Sequence, residues 1–93
     1  MNADVDVDSI REYEQILQKL DNITDDVIKD ESEKGVTLRK QLIYQDFINR
    51  GFSKERAERE VRKSFDSGSD IEDAKDARDN NKSYFKNQYE TLI

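Results

Sequence analysis

Cysteine, histidine and proline are absent from this chain of 93 residues, and glycine occurs three times. Without cysteine there is no disulfide, no thiolate nucleophile and no zinc–thiolate site. Without histidine the commonest general base and the commonest transition-metal ligand are missing. No proline interrupts a long helix, so Gly35, Gly51 and Gly68 are the backbone's main punctuation. No apolar run approaches the roughly 20 residues of a membrane span, and no signal-peptide core is present. The expectation is a soluble intracellular protein, cytoplasmic or virion-associated, that needs no cofactor or metal.

Charge is plentiful and apolar material scarce. Leu, Ile, Val and Phe together number 22, against 41% charged residues and a net charge of −6. A chain this short buries only about 60–65% of its unfolded surface. Its single domain therefore has a thin core, one that self-association or a partner would complete.

The apolar residues are spaced for helices. "MNADVDVD" at 1–8 reads as a disordered acidic arm. "SIRE" at 9–12 reads as a capping box. Behind it Ile10, Tyr13, Leu17, Leu20, Thr24 and Val27 step by three and four, which predicts one long helix over 9–33 ended by Gly35. "DNITDD" is its weak point. Leu38, Leu42, Ile43, Phe47 and Ile48 form the face of a second helix over 37–50, with Thr37 as N-cap and Gly51 beyond its end. Ser53 caps a third over 53–66, where Ala57, Val61 and Phe65 recur at every fourth position and Phe52 is placed to staple onto Ala57. "SDIE" at 69–72 reads as a second capping box, opening a fourth helix over 70–91. Arg78 and Asn81 interrupt that helix's apolar stripe. The predicted fold is all-α: a compact bundle of four helices, long-short-short-long, in one domain spanning 9–93.

The charges are unevenly distributed. Residues 1–34 carry 4 basic and 11 acidic groups, net −7; residues 35–64 carry 8 and 4, net +4; residues 65–93 carry 4 and 7, net −3. On the third helix Arg56, Arg59 and Lys63 lie opposite the apolar stripe. Glu55–Arg59 and Glu58–Arg62 have the favourable i, i+4 order. On the fourth, Glu72, Asp76 and Asp79 share a face. These two stripes are the candidate contact surfaces, one basic and one acidic, and could meet within the fold or between subunits.

Five functions can be weighed on these residues. Helix–glycine–helix over 38–65 suggests a helix-turn-helix reading DNA through Arg56, Arg59 and Lys63, but Glu55, Glu58 and Glu60 among them oppose phosphate, as does the acidic chain. An acidic mimic of DNA would use the aspartate rows, yet the central third is basic. "DSGSDIED" at 66–73 fails the calcium-loop pattern, with Ile71 where glycine is required and Ala77 where glutamate is required. Carboxylates on solvated helical faces, with no phosphate cradle or activated nucleophile nearby, argue against an enzyme. The remaining reading is a non-enzymatic helical protein–protein interaction module of bacterial or phage type. It would be an adaptor, assembly or inhibitory subunit that also self-associates. Tyr13, Tyr44, Tyr84 and Tyr89 are further contact candidates.

Overall fold

The protein is described by a computed structural model covering residues 7–92. It forms five helices: α1 (Val7–Asp21), α2 (Asp25–Lys29), α3 (Glu33–Asn49), α4 (Lys54–Asp66) and α5 (Asp70–Leu92). The all-α prediction holds, with five helices where four are predicted, and no strand occurs among the described residues.

The extra helix comes from the stretch expected to be one rod over 9–33. Thr24 is extended (φ −85°, ψ 168°) and its hydroxyl accepts from the Val27 amide at 3.3 Å, so it caps a new helix. Asn, β-branched Ile and Thr are weak helix formers, and a residue from far along the chain rewards the break. Arg78 of α5 donates to the Ile23 carbonyl at 3.1 Å and to the Asp25 carboxylate at 2.7 Å. The Arg78 that spoils the stripe of α5 is the tertiary cap of the α1–α2 corner.

The helix starts also shift. Val7 and Asp8, assigned to the arm, are helical, and Ser9 lies inside α1 rather than at its cap; residues 1–6 of the expected arm lie outside the described residues. The start of α3 lies four residues before its predicted one. Ser32 occupies its N-cap position and Thr37 lies within the helix. Gly35 is not a terminator but a buried residue of the first turn of α3, where a Cβ would collide with the Asp30 carbonyl oxygen. At 69–72 the Ser69 hydroxyl bonds the carboxylate of Asp73, at 2.9 Å, so the acidic partner is one residue later than the capping box predicts.

Gly51 and Gly68 do end helices, at φ 95° and 76°. Each closes a Schellman turn. Phe52 and Gly51 donate to Phe47 and Ile48 carbonyls at 3.1 and 2.9 Å, and Ser69 and Gly68 donate to Ser64 and Phe65 at 3.0 and 3.2 Å. The Phe52 ring adds the apolar contact such turns favour, 5.4 Å from that of Phe47. Ser53 caps α4 as predicted, accepting from Arg56 at 3.2 Å.

The spine is α5, which packs against all four other helices. Ala74 and Ala77 let α3 and α4 approach its first half closely, over a core of Leu20, Ile28, Leu42, Ile43 and Val61. Burying each large apolar side chain fully contributes about 1.5–3 kcal/mol. Asn81, 2% exposed, continues the helix through "DNN" because its amide is satisfied: it donates to Leu42 O at 3.2 Å and accepts from Asn49 at 2.8 Å. The molecule measures 51 × 28 × 18 Å, little more than two helices deep.

Arg39, also 2% exposed, joins three segments. Its Nε donates to Asp70 Oδ2 at 2.6 Å, tying α3 to the start of α5. One terminal nitrogen donates to the carbonyls of Ile28 and Asp30 at 2.6 and 2.9 Å, satisfying the end of α2. Arg39→Met should cost about 3–5 kcal/mol in urea unfolding, the range for stranding one partner of a buried pair. Gly35→Ala should also destabilise, by at least about 1 kcal/mol on the same measurement, through displacement of the Asp30 carbonyl.

Candidate functional site

The two charged stripes do not pair with each other. Glu60, which the helical wheel does not single out, collects the basic side: Arg56 at 3.1 Å and Lys63 at 3.5 Å. The hydrogen bond from Arg56, with the nearby Lys63 charge, holds the Glu60 carboxyl below its ordinary range. Arg56 also lies over the Phe52 ring, at 5.1 Å. The spacing-based pairs Glu55–Arg59 and Glu58–Arg62 do not form, leaving Arg59 and Arg62 without an ion-pair partner among the described residues. On the acidic side Glu72 pairs with Lys75 at 3.6 Å and Asp79 with Arg78 at 3.1 Å, while Asp76 makes no ion pair among the described residues. Lys63 and Asp76 line one cleft between α3, α4 and α5 without touching.

That cleft, about 380 Å³, is polar, and its groups are already engaged. Asp46 binds Arg50 at 2.8 Å and Asn80 at 3.1 Å. Asp73 accepts from the Ser64 and Ser69 hydroxyls at 2.7 and 2.9 Å. Ser67 bonds the Ser64 carbonyl at 3.1 Å. This is the clamp that holds the α4–α5 turn. No group of three or more metal-ligating side chains converges among the described residues.

The opposite side of α3 is apolar and open. Among the described residues the α1 backbone approaches α5 but not α3, and Leu20 of α1 shares the buried core with Leu42 and Ile43 of α3. Tyr13 meets Phe85 at 6.1 Å, Tyr89 donates to Glu14 at 3.2 Å, and Lys82 pairs with Asp21 at 3.3 Å, an antiparallel register. Between α1 and α3 lies a groove of about 480 Å³ walled by Ile16, Leu20, Ile23, Leu38, Leu42 and Phe85. Beyond it a second groove of about 350 Å³ runs between α3 and α4 over Val61. Gln41 and Tyr44 line both grooves and form the ridge between them. The Tyr44 hydroxyl has no hydrogen-bond partner among the described residues, unlike that of Tyr89, and Tyr84 stands edge-on to Phe85 at 5.1 Å.

No protein-family model matches the chain, and comparison with the curated proteins and with solved structures finds no match.

Sequence spacing misses the polar residues that carry the geometry, Arg39, Asp46 and Asp73, and the pairing role of Glu60. The signal for Arg39 and Asp46 was their register with Leu42 and Ile43 on the inward face of α3. No helix is long and apolar enough to cross a membrane among the described residues.

Acid should loosen the fold. Asp25, bonded by Arg78, and Asp30, bonded by the amide and hydroxyl of Ser32, both titrate below the ordinary aspartate range, as Glu60 does for glutamate. A depressed carboxylate contributes stability above its unfolded-state pKa and loses it as pH falls through its folded-state one. The circular-dichroism melting temperature should hold above about pH 5 and fall progressively below about pH 4. Asp25→Asn should lower the midpoint at neutral pH and narrow its gap to the parent chain in acid.

Proposed function

We propose that this protein is a non-enzymatic helical docking module acting in the cytoplasm, whose working surface is the face formed by α1, α3 and α4. One observation carries the reading: the α1 backbone approaches α5 but not α3, so above the shared Leu20 and Leu42 core a groove edged by Ile16, Ile23, Leu38 and Phe85 opens between α1 and α3. Ile16, Leu38 and Phe85 are half-buried against the core, and the edges they leave open line the groove that a partner would cover. The Tyr44 ridge fits the same reading, since an aromatic side chain with an unused hydroxyl is a frequent anchor at protein contacts. The polar cleft fits the same reading, since Asp46, Asp73 and Glu60 are each bound to neighbours that fix the fold.

Self-association through the two charged stripes is a second part of the proposal. Arg59 and Asp76, unpaired in the molecule, are its natural partners, and the surface pairs held by Arg56, Lys63, Glu72 and Asp79 are weak enough, at about 0–1 kcal/mol each, to exchange.

Capture from cells tests the docking face. Tyr44→Glu, with its helical circular dichroism unchanged, should lose the proteins retained by the parent chain, while Lys54→Glu should keep them. Equal retention by Tyr44→Glu would remove the face from the account. Sedimentation tests the stripes. Arg59→Glu should shift an oligomer towards monomer and Asp76→Lys should restore it; a monomer at every concentration would end the self-association reading.

A further inference from the structure

The walls and rims of the two grooves differ in character, and the difference specifies an occupant. Their walls are aliphatic and aromatic; their rims carry Lys19, Lys40 and Arg62, with Glu58 as the one carboxylate lining either groove. All three cations are exposed and none makes an ion pair among the described residues. The Lys40 ammonium lies over the Phe65 ring, 5.6 Å from its centroid, a contact that leaves its charge unmatched by a carboxylate.

A second copy of the chain is a poor occupant. Filling an elongated apolar groove takes a helix with an apolar stripe at i, i+3, i+4 and i+7. Among the described residues the large hydrophobic side chains left exposed are Val7, Val27 and Phe52, scattered over α1, α2 and the α3–α4 turn. No described helix presents a free stripe to insert.

Resting on the docking reading above, we infer that this face binds an amphipathic helix of another protein, with an apolar stripe flanked by aspartate and glutamate. The stripe enters the α1–α3 groove beside Ile16 and Leu38 and packs on the Tyr44 ridge. The flanking carboxylates meet Lys19 on one side and Lys40 and Arg62 on the other. Gln41, exposed on the ridge and without a partner among the described residues, is available to the polar edge of the incoming helix. The charges select the partner and its orientation, while the apolar contact supplies the affinity.

The test uses the full chain and two labelled helical peptides of about five turns. Both carry the same leucine stripe; one is flanked by glutamate and the other by lysine. Fluorescence anisotropy should show the glutamate peptide binding at least about tenfold more tightly at low salt, with the difference shrinking at about 0.5 M salt as screening shortens. The double variant Lys40→Glu, Arg62→Glu should reverse the preference. Equal or tighter binding of the lysine peptide would overturn the acidic-helix inference and leave the docking face standing. Binding of neither peptide at about 1 mM would overturn both. If the protein alone sediments as a dimer that Tyr44→Glu dissociates, the occupant is a second copy, and the inference fails while the docking face survives.

Discussion

The buried guanidinium of Arg39 is the constraint on which the rest of the architecture depends. A charge taken out of water needs compensation from every direction. Here it comes from the Asp70 carboxylate and two backbone carbonyls, those of Ile28 and Asp30. These partners belong to α5, to α2 and to the turn after α2, so satisfying one side chain fixes where three segments meet. Gly35 belongs to the same arrangement: its missing side chain lets the Asp30 carbonyl sit against the first turn of α3, close enough for Arg39 to reach. The small residues Ala74 and Ala77 then draw the start of α5 against α3 and α4.

The body is thus clamped at one end, and α1 is attached differently. It reaches the body through the Asn22–Thr24 corner, held by Arg78, and then runs along the second half of α5 through Phe85, Tyr89 and Lys82. Because the clamp places α3 on the first half of α5, α1 and α3 share the core only around Leu20 and Leu42 and diverge above it, and the space between them is the groove. Its apolar walls follow from the amphipathic pattern of each helix; its openness follows from the topology. The polar cleft on the far side of α3 is the reverse case, a surface whose charges and hydroxyls are consumed in holding the α4–α5 turn.

Much of this was legible in the sequence because local chemistry dictated it. Gly51 and Gly68 end helices since the left-handed conformation there suits glycine, and Ser53 caps α4 because a hydroxyl before a charged amphipathic run has one good use. The apolar stripes of α3 and α4 followed from spacing alone. What the sequence misled about is where tertiary partners overrule local signals. The corner after α1 depends on Arg78, 55 residues beyond Ile23, and no local pattern announces it. Gly35 looked like a stop because its close contact lies in another turn. The wheel placed Arg56 and Lys63 on an outer face, yet Glu60, read only as a charge opposing phosphate, is the partner that engages both. Arg62 is left available because its expected pair with Glu58 does not form, and Lys40 because no carboxylate among the described residues engages it.

The central claim is that an Arg39-clamped body holds α3 and the first half of α5 from several sides, while α1 is held along α5 and by Leu20 near its C-terminal end, leaving its flank around Ile16 open. Native-state hydrogen exchange on the isolated protein tests this most directly. Amides of α1 should exchange through a local opening of lower free energy than those of α3 around Leu42 and α5 around Ala77, which should exchange only on global unfolding. If α1 is instead protected to the same global level as α3, the two helices are packed together or covered in solution, and an open groove between them is not a property of this molecule.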